Sequence, residues 1–338
     1  MSSKNGELHR LLQSARRVVL TTHRSPDGDG VGSEVGLARM LAAAGAEVRI
    51  INVDPLPRLL TFLDTAFRVE TYEPQVHDAV LAAADVIVML DNSVAARMGR
   101  MEPVVRRAAA SKACIDHHPD PDSYWNPCLV DTGACCTGQL IHALGEALGW
   151  SIDPPAAEAL YTALVSDTGR FRFANTSPEA FRMAAALVER GARPARIYAR
   201  LEEQYSEGFL RMYGEVLAGM ESRCEGRLLL LRIPLAMIER HGAAGEDLSE
   251  IINQSLGHRE SRLAVLFREL EDGQTKISLR SKGARDVNRL ARRHGGGGHR
   301  NASGIVLPQP LEAAVTLLLP ELEALATEEE SPPGPSPA

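Results

Sequence analysis

The sequence lacks the features that place a protein at a membrane or outside the cell. Its N-terminus, MSSKNGELHRLLQSARR, is polar and has no apolar core of the kind that marks a secretory signal. No run of about 18 apolar residues predicts a membrane span. The formal net charge of −7 argues against indiscriminate binding to long nucleic acid or an acidic membrane, but leaves room for a local basic pocket. We therefore expect a soluble, cytoplasmic protein that binds neither a membrane nor long duplexes.

Cysteine is also scarce, and its spacing excludes the common thiolate metal sites. The five cysteines have no paired spacing typical of structural zinc, and the adjacent pair Cys135 and Cys136 is poorly suited to an ordinary disulfide. We expect all five to be reduced and buried, as is usual for a protein inside the cell.

The chain is long enough, at 338 residues and 44% apolar content, for two domains. Apolar strands predicted at 17–23, 47–53, 85–91 and 112–118 alternate with helices at 31–45, 94–107, 137–149, 154–166 and 177–191. This alternation predicts an α/β domain with a parallel sheet and helices on both faces. A smaller α/β unit follows, with strands at 227–233, 262–270 and 275–281 and helices at 247–256, 286–294 and 310–327.

The predicted domain bounds follow from these elements. We expect a first α/β domain at 1–192, a charged helical connector at 193–222 and a second, smaller α/β domain at 223–327, with a cleft between the two domains. The Pro- and Ser-rich tail, 328–338, should be disordered because it has no apolar residues to bury.

Potential metal ligands stand where predicted strands and helices end. In chain order these are His23, Asp27 and Asp29, then Asp91, then Asp116, His117 and His118, and finally Asp167. An aspartate at such a place is, by itself, usually a turn residue or a helix cap. The carboxyl ends of parallel strands meet at one edge of a sheet, where ligands bind, so the recurrence predicts a metal site.

The kind of ligand predicts the kind of metal and reaction. Oxygen and imidazole ligands without thiolates suit Mn²⁺ or Mg²⁺ better than structural zinc. Four of these five aspartates would supply a charge of −4, which balances two divalent cations. Two such cations roughly 3.5–4 Å apart can activate a water molecule and stabilise an in-line phosphoryl displacement. The predicted reaction is therefore hydrolysis of a phosphate ester.

A second motif lies in a basic stretch, residues 280–300. Four consecutive glycines, Gly295–Gly298, precede His299, and glycines cost backbone entropy without packing a side chain. We interpret them as a place where backbone N–H groups approach an anion, with a flexible loop as the alternative. Most of the nearby arginines, such as Arg289, are interpreted as a solvated helix face.

Taken together, the motifs resemble a known superfamily. The run HRSPDGDGVGS, the strand ending at Asp91, the triplet DHH and the later SDTG resemble the four motifs of the DHH phosphoesterases. The segment GGGGHRNASG resembles the glycine-rich motif of the DHHA1 substrate domain. These motifs span most of residues 17–310, and their order most resembles the bifunctional oligoribonuclease/3′-phosphoadenosine-5′-phosphate phosphatase family, also called nanoRNases. The resemblance implies an Mn²⁺-dependent hydrolase of short oligonucleotides, linear dinucleotides and 3′-phosphoadenosine 5′-phosphate.

The resemblance also implies a role for each residue. His23 and Asp27 would hold a first metal, Asp29, His117 and Asp167 a second, and Asp91 both. His118 would face the scissile phosphate, Asp116 would orient a ligand histidine, and Arg97 matches a recurrent family arginine. The nucleotide would be bound away from the metals by Arg280, Gly296, Gly297, Gly298 and His299, with Arg262 as a further candidate.

Other functions stay open at this point. A RecJ-like exonuclease should be longer and should lack the histidine before the first motif, and a family II pyrophosphatase should lack the segment GGGGH. A phosphodiesterase specific for linear dinucleotides is not separable from the main interpretation. A non-catalytic nucleotide-binding protein should lack a ligand, whereas all of the expected ligands are present. A homodimer is one expected assembly.

Overall fold

A computed structural model describes residues 3–246 and 248–328 and divides the chain into two units, residues 1–204 and 205–338. The predicted disordered tail, apart from Glu328, lies outside the described residues. Over the described part of the chain, no helix is long and apolar enough to cross a membrane.

The first unit is built on a six-stranded parallel sheet. Its strands are β1 (Arg17–Thr21), β2 (Glu47–Asn52), β3 (Val69–Thr71), β4 (Val86–Leu90), β5 (Ser111–Asp116) and β6 (Cys128–Val130), in the order β3-β2-β1-β4-β5-β6. All neighbouring pairs are parallel. The predicted parallel α/β fold is therefore confirmed, while the short strands β3 and β6 were not predicted.

Helices cover both faces of this sheet. They are α1 (Ser3–Ser14), α2 (Gly28–Ala43), α3 (Thr61–Asp64), α4 (Pro74–Ala83), α5 (Glu102–Arg107), α6 (Thr137–Leu148), α7 (Pro154–Asp167), α8 (Pro178–Glu189) and α9 (Pro194–Glu202). Side chains alternate along each strand. Val18 and Leu20 therefore pack into one apolar cluster, whereas Val19 packs into the cluster on the other face.

The strand order creates a crevice at the carboxyl ends of β1 and β4. From β1 the chain passes through α2 to β2 on one side, whereas from β4 it continues to β5 on the other side. Ligands of open α/β sheets bind where the order reverses in this way. The segments that follow β1, β4 and β5 therefore lie where a site is expected.

Close packing of α2 against α7 brings the end of α7 toward this crevice. A Cβ atom at Gly32 would lie 2.4 Å from the carbonyl oxygen of Ala159, and one at Gly28 would lie 1.9 Å from Oγ of Ser166. Only glycine permits this approach of the two helices. Because α7 ends at Asp167 and α2 begins beside Asp27, the approach brings these two carboxylates toward one another.

The second unit contains a mixed six-stranded sheet. Its strands are β7 (Glu221–Arg223), β8 (Leu228–Ile233), β9 (Leu263–Glu269), β10 (Thr275–Ser281), β11 (Gly297–His299) and β12 (Ala302–Leu307), in the order β11-β12-β10-β9-β8-β7. Only β8 and β9 are parallel. The helices are α10 (Glu207–Ala218), α11 (Leu235–His241), α12 (Ser249–Ser255), α13 (Val287–Arg293) and α14 (Leu311–Thr327). Separate apolar clusters lie against α13 and α14 and against α10 to α12, which confirms the second α/β unit.

The predicted connector, residues 193–222, is helical but does not stand apart from the two units. In α9, Ile197 is buried in the core of the first unit. In α10, Phe209, Met212 and Val216 are buried in a core of the second unit. These helices therefore belong to the packing of different units.

The cysteines have no disulfide partner among the described residues. Cys114, Cys135 and Cys136 are buried as expected, whereas Cys128 and Cys224 are partly exposed.

Candidate metal centre

The loop after β1 presents a buried histidine with one nitrogen directed toward carboxylates. His23 is 5% exposed, and its Nδ1 lies 2.7 Å from the carbonyl oxygen of Arg24. Because a carbonyl only accepts, Nδ1 carries the proton and Nε2 keeps a free lone pair. That Nε2 lies 3.8 Å from Oδ2 of Asp27 and 3.5 Å from Oδ2 of Asp91. Burial lowers the pKa of His23, which favours the neutral imidazole that binds metals.

Two aspartates at the start of α2 are fixed by backbone N–H groups. Asp27 caps the helix, since its Oδ1 accepts hydrogen bonds from the backbone N–H groups of Asp29 and Gly30 at 3.1 and 3.0 Å. Asp29 accepts from the backbone of α6, with 2.7 Å from N of Thr137 to Oδ2 and 3.0 Å from N of Gly138 to Oδ1. The start of a helix favours negative charge there.

Asp91 lies at the centre of the group. It follows β4 directly and has a left-handed backbone with φ of 57°, which aspartate tolerates better than most residues. The Thr137 hydroxyl donates to its Oδ1 at 3.1 Å. Burial, followed by the charges of Asp29, Asp27 and Asp167, raises the pKa of Asp91 well above its usual range. A divalent cation between these carboxylates would offset their repulsion.

His117 supplies the clearest sign that the group suits a cation. Its Nδ1 lies 3.3 Å from the carbonyl oxygen of Ala134, so Nε2 again keeps the lone pair. This Nε2 is buried and has no hydrogen-bond partner among the described residues. It faces Oδ2 of Asp29 at 3.8 Å, Oδ1 of Asp91 at 3.6 Å and Oδ2 of Asp167 at 3.5 Å. A buried, unpaired nitrogen beside three carboxylates is what a metal ligand requires.

The structure corrects the expected role of Asp116. Its Oδ1 is 2.8 Å from Nδ1 of His118 and accepts from the backbone N–H of His118 at 3.1 Å. The expectation that Asp116 orients a ligand histidine is therefore wrong in its partner, because Asp116 holds His118 and a carbonyl holds His117. Burial lowers the pKa of His118, but the hydrogen bond and charge of Asp116, together with the charge of Asp167, raise it by more, so the net shift is upward.

Asp167 ends α7 as predicted and completes the group. Burial, then the charges of Asp29 and Asp27, raise the pKa of Asp167 to about 8. The amide of Asn175 donates to the Asp167 carbonyl oxygen at 3.0 Å and to Oδ2 at 3.4 Å.

The predicted ligands fall into overlapping groups, each with ligand atoms within 4.8 Å of one another. One group is His23, Asp27 and Asp91, a second is Asp29, His117 and Asp167, and a third is Asp91, His117 and His118. Every predicted ligand is thus brought together, and these oxygen and nitrogen donors fit a divalent cation such as Mn²⁺ or Mg²⁺.

Two further residues lie near the group: Thr137, which was not predicted from the sequence, and Arg97, which was. Thr137, which contacts both Asp29 and Asp91, was missed, and the only signal was a Thr-Gly pair opening a helix after Cys135 and Cys136. Arg97 lies in the 3₁₀ helix Ala95–Met101, and its carbonyl oxygen accepts from the backbone N–H of Arg24 at 2.9 Å. Its charge lowers the pKa of His23, although less than burial does.

The candidate substrate residues of the second unit lie on one sheet. His299 on β11 is paired with Ala302 on β12, which is paired with Arg280 on β10. Residues in register point to the same face, so His299 and Arg280 share one face with Cα atoms roughly 10 Å apart. The Arg280 Nε donates to Oδ1 of Asn253 at 3.1 Å. Arg262 lies just before β9, and its backbone pairs with Arg227 and Lys282.

The glycines of this motif have a packing role that was not predicted from the sequence. The segment forms strand β11 and not a flexible loop. A Cβ atom at Gly296 would lie 2.1 Å from the carbonyl oxygen of Gly304, and one at Gly298 would lie 2.5 Å from that of Ala302. Packing against β12 therefore requires these two glycines, whereas Gly297 faces open space and is exposed.

Comparison with known proteins agrees with this architecture. The family model described as DHH family, N-terminal domain, matches residues 17–164, and the DHHA1 domain matches residues 227–328. A Thermus thermophilus protein named bifunctional oligoribonuclease and PAP phosphatase NrnA is 32% identical, over 86% of this chain and 84% of that protein. A Bacillus subtilis protein of the same name is 30% identical, over 96% of this chain and 99% of that protein.

Solved structures extend the likeness to three dimensions. An exopolyphosphatase-related protein from Bacteroides fragilis matches with a TM-score of 0.92 at 28% identity, over 96% of this chain and 98% of that one. Exonuclease RecJ bound to manganese, at 18% identity and a TM-score of 0.51, shares the fold alone. The predicted family is thus confirmed: the chain belongs to the DHH/DHHA1 phosphoesterases, hydrolases of phosphate ester bonds, and within them to the family of bifunctional oligoribonucleases and PAP phosphatases.

Proposed function

We propose that the protein hydrolyses short oligonucleotides, including linear dinucleotides, to mononucleotides, and 3′-phosphoadenosine 5′-phosphate to AMP. Two Mn²⁺ ions per chain are the proposed cofactor, with Mg²⁺ as the alternative. The observation that carries this proposal is the convergence of four carboxylates, two of them fully buried, around Nε2 of His117 and Nε2 of His23. The names of the Thermus and Bacillus relatives support the substrate class.

The ligand assignment follows the group of His23, Asp27 and Asp91 and the group of Asp29, His117 and Asp167, with Asp91 reaching His117 of the second group at 3.6 Å. His23 and Asp27 would hold the first ion, Asp29, His117 and Asp167 the second, and Asp91 both. Bound there, divalent cations would supply Lewis-acid stabilisation of phosphate charge and an activated water.

The protein's own residues would position and protonate the substrate. Asp116 fixes Nδ1 of His118 and so sets the orientation of the ring that we assign to the phosphate or the leaving oxygen. Because the pKa of His118 is raised, its protonated form is favoured, and this form stabilises negative charge and can donate a proton. We therefore assign His118 the phosphate-facing role and Asp116 the role of holding it.

Residues of the second unit would bind the rest of the substrate. Arg280 and His299 present a guanidinium and an imidazole on one face of the sheet, and the Gly297 backbone on the edge strand β11 is exposed. Contacts of this kind bind phosphate and sugar without reading base sequence. We include Gly296, Gly298 and Arg262 with these residues, and expect little sequence preference.

The test is a timed digest of 5′-labelled RNAs from two to about twenty nucleotides, a range that brackets the usual site sizes for single strands. The digest is run with Mn²⁺ beside 3′-phosphoadenosine 5′-phosphate, pyrophosphate and a short polyphosphate. We expect the shortest RNAs to be cleaved fastest and long RNAs slowly.

Three outcomes would contradict the proposal. Preferential cleavage of long single strands would favour a RecJ-like exonuclease, and hydrolysis of pyrophosphate or polyphosphate alone would favour an inorganic phosphatase. Full activity after exhaustive chelation, with metal absence verified by elemental analysis, would exclude metal-dependent hydrolysis. The predicted homodimer and cytoplasmic location stay predictions.

A further inference from the structure

The loop between α7 and α8, residues 168–177, contains an aromatic ring held on a glycine. Phe173 is 52% exposed. A Cβ atom at Gly169 would lie 2.4, 2.5 and 2.6 Å from three atoms of that ring, so the ring occupies the space of the missing side chain. One part of the ring therefore packs on backbone while the rest faces solvent.

This loop is held firmly. Gly169, Arg170 and Phe171 have left-handed backbones, with φ of 54°, 60° and 64°. Such conformations persist only where the surroundings enforce them, and they concentrate at functional sites. The backbone N–H of Phe173 donates to the carbonyl oxygen of Thr168 at 3.0 Å, and Nε of Arg172 donates to that of Gly169 at 3.0 Å.

The loop is also anchored to the candidate metal centre. Asn175 donates to Asp167, as described above, and to the carbonyl oxygen of Cys135 at 2.9 Å. Gly169 follows Asp167 by two residues, and two residues span at most about 7 Å. The ring of Phe173 therefore packs on a residue two positions after a carboxylate of the centre.

A second exposed aromatic residue shows why Phe173 is unusual. Phe181 on α8 is 55% exposed, but its ring stacks on Phe171, with centroids 5.1 Å apart and planes at 19°. No aromatic partner of Phe173 is found among the described residues. Phe173 is thus exposed, packed on Gly169, and part of a loop that begins directly after a ligand candidate of the metal centre.

Exposed aromatic rings beside phosphate-binding groups suit nucleobases, because every base has a face that can stack. We propose that Phe173 stacks on the nucleobase next to the phosphate at the metal centre, and so makes the site selective for nucleotides over inorganic phosphate chains. This inference rests on the proposed function and specifies its substrate class.

The test separates the contribution of the base from that of the phosphate. Isothermal titration with Mn²⁺ present measures the affinities for AMP and for ribose 5-phosphate, which differ only in the base. We expect AMP to bind wild-type protein more tightly. Phe173→Leu should weaken AMP binding about 5- to 100-fold, the range for stacking of one base, and leave ribose 5-phosphate unchanged. Phe173→Trp should retain the AMP advantage. Phe181→Leu is the matched control, since it removes an equally exposed ring that already has a partner.

The outcomes separate this inference from the proposed function. Equal binding of AMP and ribose 5-phosphate to wild-type protein, or no measurable AMP binding, would overturn the stacking role. An equal loss in Phe173→Leu and Phe181→Leu would also overturn it, because the effect would then come from packing of the loop. If no oligonucleotide is hydrolysed but the AMP advantage exists and disappears in Phe173→Leu, the proposed function fails while the base site stands.

Discussion

The candidate residues of the first unit come from four distant segments and, apart from Asp27, are buried or partly buried, whereas those of the second unit come mainly from neighbouring strands and are more exposed. Asp29 and Asp91 are 1% and 2% exposed and share Thr137 as a donor, while β11 is exposed along its whole length. Parallel strands with crossover helices bring distant segments to one edge, and antiparallel pairing brings near ones together.

This difference predicts unequal sensitivity to substitution. Buried charges interact strongly because the surrounding dielectric constant is low. Removing one of them also leaves its hydrogen-bond partners unpaired. Exposed groups contribute mainly to substrate binding, where solvent screens each contact. Substitutions in the first unit should therefore have larger effects on turnover than those in the second.

The largest effect should come from Asp91→Asn. Asp91 belongs to two of the ligand groups, so loss of its charge should weaken both ion positions. We expect kcat for a dinucleotide to fall by at least about 100-fold, with Mn²⁺ content reduced and the fold retained. Turnover close to that of wild type, with Mn²⁺ bound, would remove Asp91 from the site.

His118→Ala should have the next largest effect, without loss of metal. Because His118 is held by Asp116 and is assigned to the phosphate, turnover should fall about 100-fold while bound Mn²⁺ is retained. His117→Ala is the matched variant and should lose Mn²⁺. If the metal content of both variants falls equally, the roles assigned to the two histidines are wrong.

Asp116→Asn tests the origin of the raised pKa of His118. Removing the carboxylate charge removes the largest of the interactions that raise the pKa of His118, so this pKa should fall. The alkaline limb of the kcat profile should then move to lower pH. An unmoved limb in a variant of normal fold would show that His118 does not govern it.

Arg280→Ala should affect binding of extended substrates alone. Losing a charge-assisted contact corresponds to about 1.5–3 kcal/mol, or roughly 10- to 150-fold in kcat/KM for a dinucleotide. Bis-p-nitrophenyl phosphate, which offers little beyond the scissile phosphate, should change little. Arg289→Ala, on the exposed side of α13, is the control. Equal loss with both substrates in folded protein would make the glycine-rich sheet a structural element.

The sequence was sufficient for the sheet and the ligands because both depend on local patterns. Apolar runs that end in His23, Asp91 and His117 identify strands, and parallel strands share one functional edge. The hydrogen-bond partners of the site residues were not predictable from the sequence. Asp116 lies next to His117 in sequence but bonds His118, and Asp29 is held by α6 amides that lie 108 and 109 residues away.

The glycines show a similar limit. Their number indicated an unusual backbone, but whether a ligand or a strand approaches them depends on pairing with β12. Likewise, β11 has no side-chain pattern of a strand, because two of its three residues are glycine. Such features are decided by tertiary neighbours and not by propensity.

Substitution of Glu34 should have the smallest effect on turnover. It tests the burial in the first unit on which the comparison of the two units depends. It is fully buried on α2, and its Oε2 accepts from Nδ2 of Asn52 at 2.8 Å. Oδ1 of Asn52 in turn accepts from the backbone N–H of Thr22 at 3.0 Å, next to His23. Burial raises the pKa of Glu34 from 4.5 to about 8, although the Asn52 hydrogen bond opposes the shift.

A carboxyl whose pKa is higher in the folded than in the unfolded protein stabilises the fold fully below pH 4.5 and loses that contribution as pH rises through about 8. Glu34→Gln keeps the shape and the Asn52 contact without titrating. Thermal unfolding in EDTA, measured between pH 5 and 8, should show the variant gaining stability over wild type by up to about 1.4 kcal/mol per pH unit. Asp91 and Asp167 also have raised pKa values and remain in both proteins, so the difference isolates Glu34. Glu189→Gln, an exposed carboxyl on α8, should leave the curve parallel to that of wild type. If the stability curve of Glu34→Gln is parallel to that of wild type as well, Glu34 is ionised at neutral pH. The interior around Glu34, next to the His23 loop, is then more polar than its burial implies.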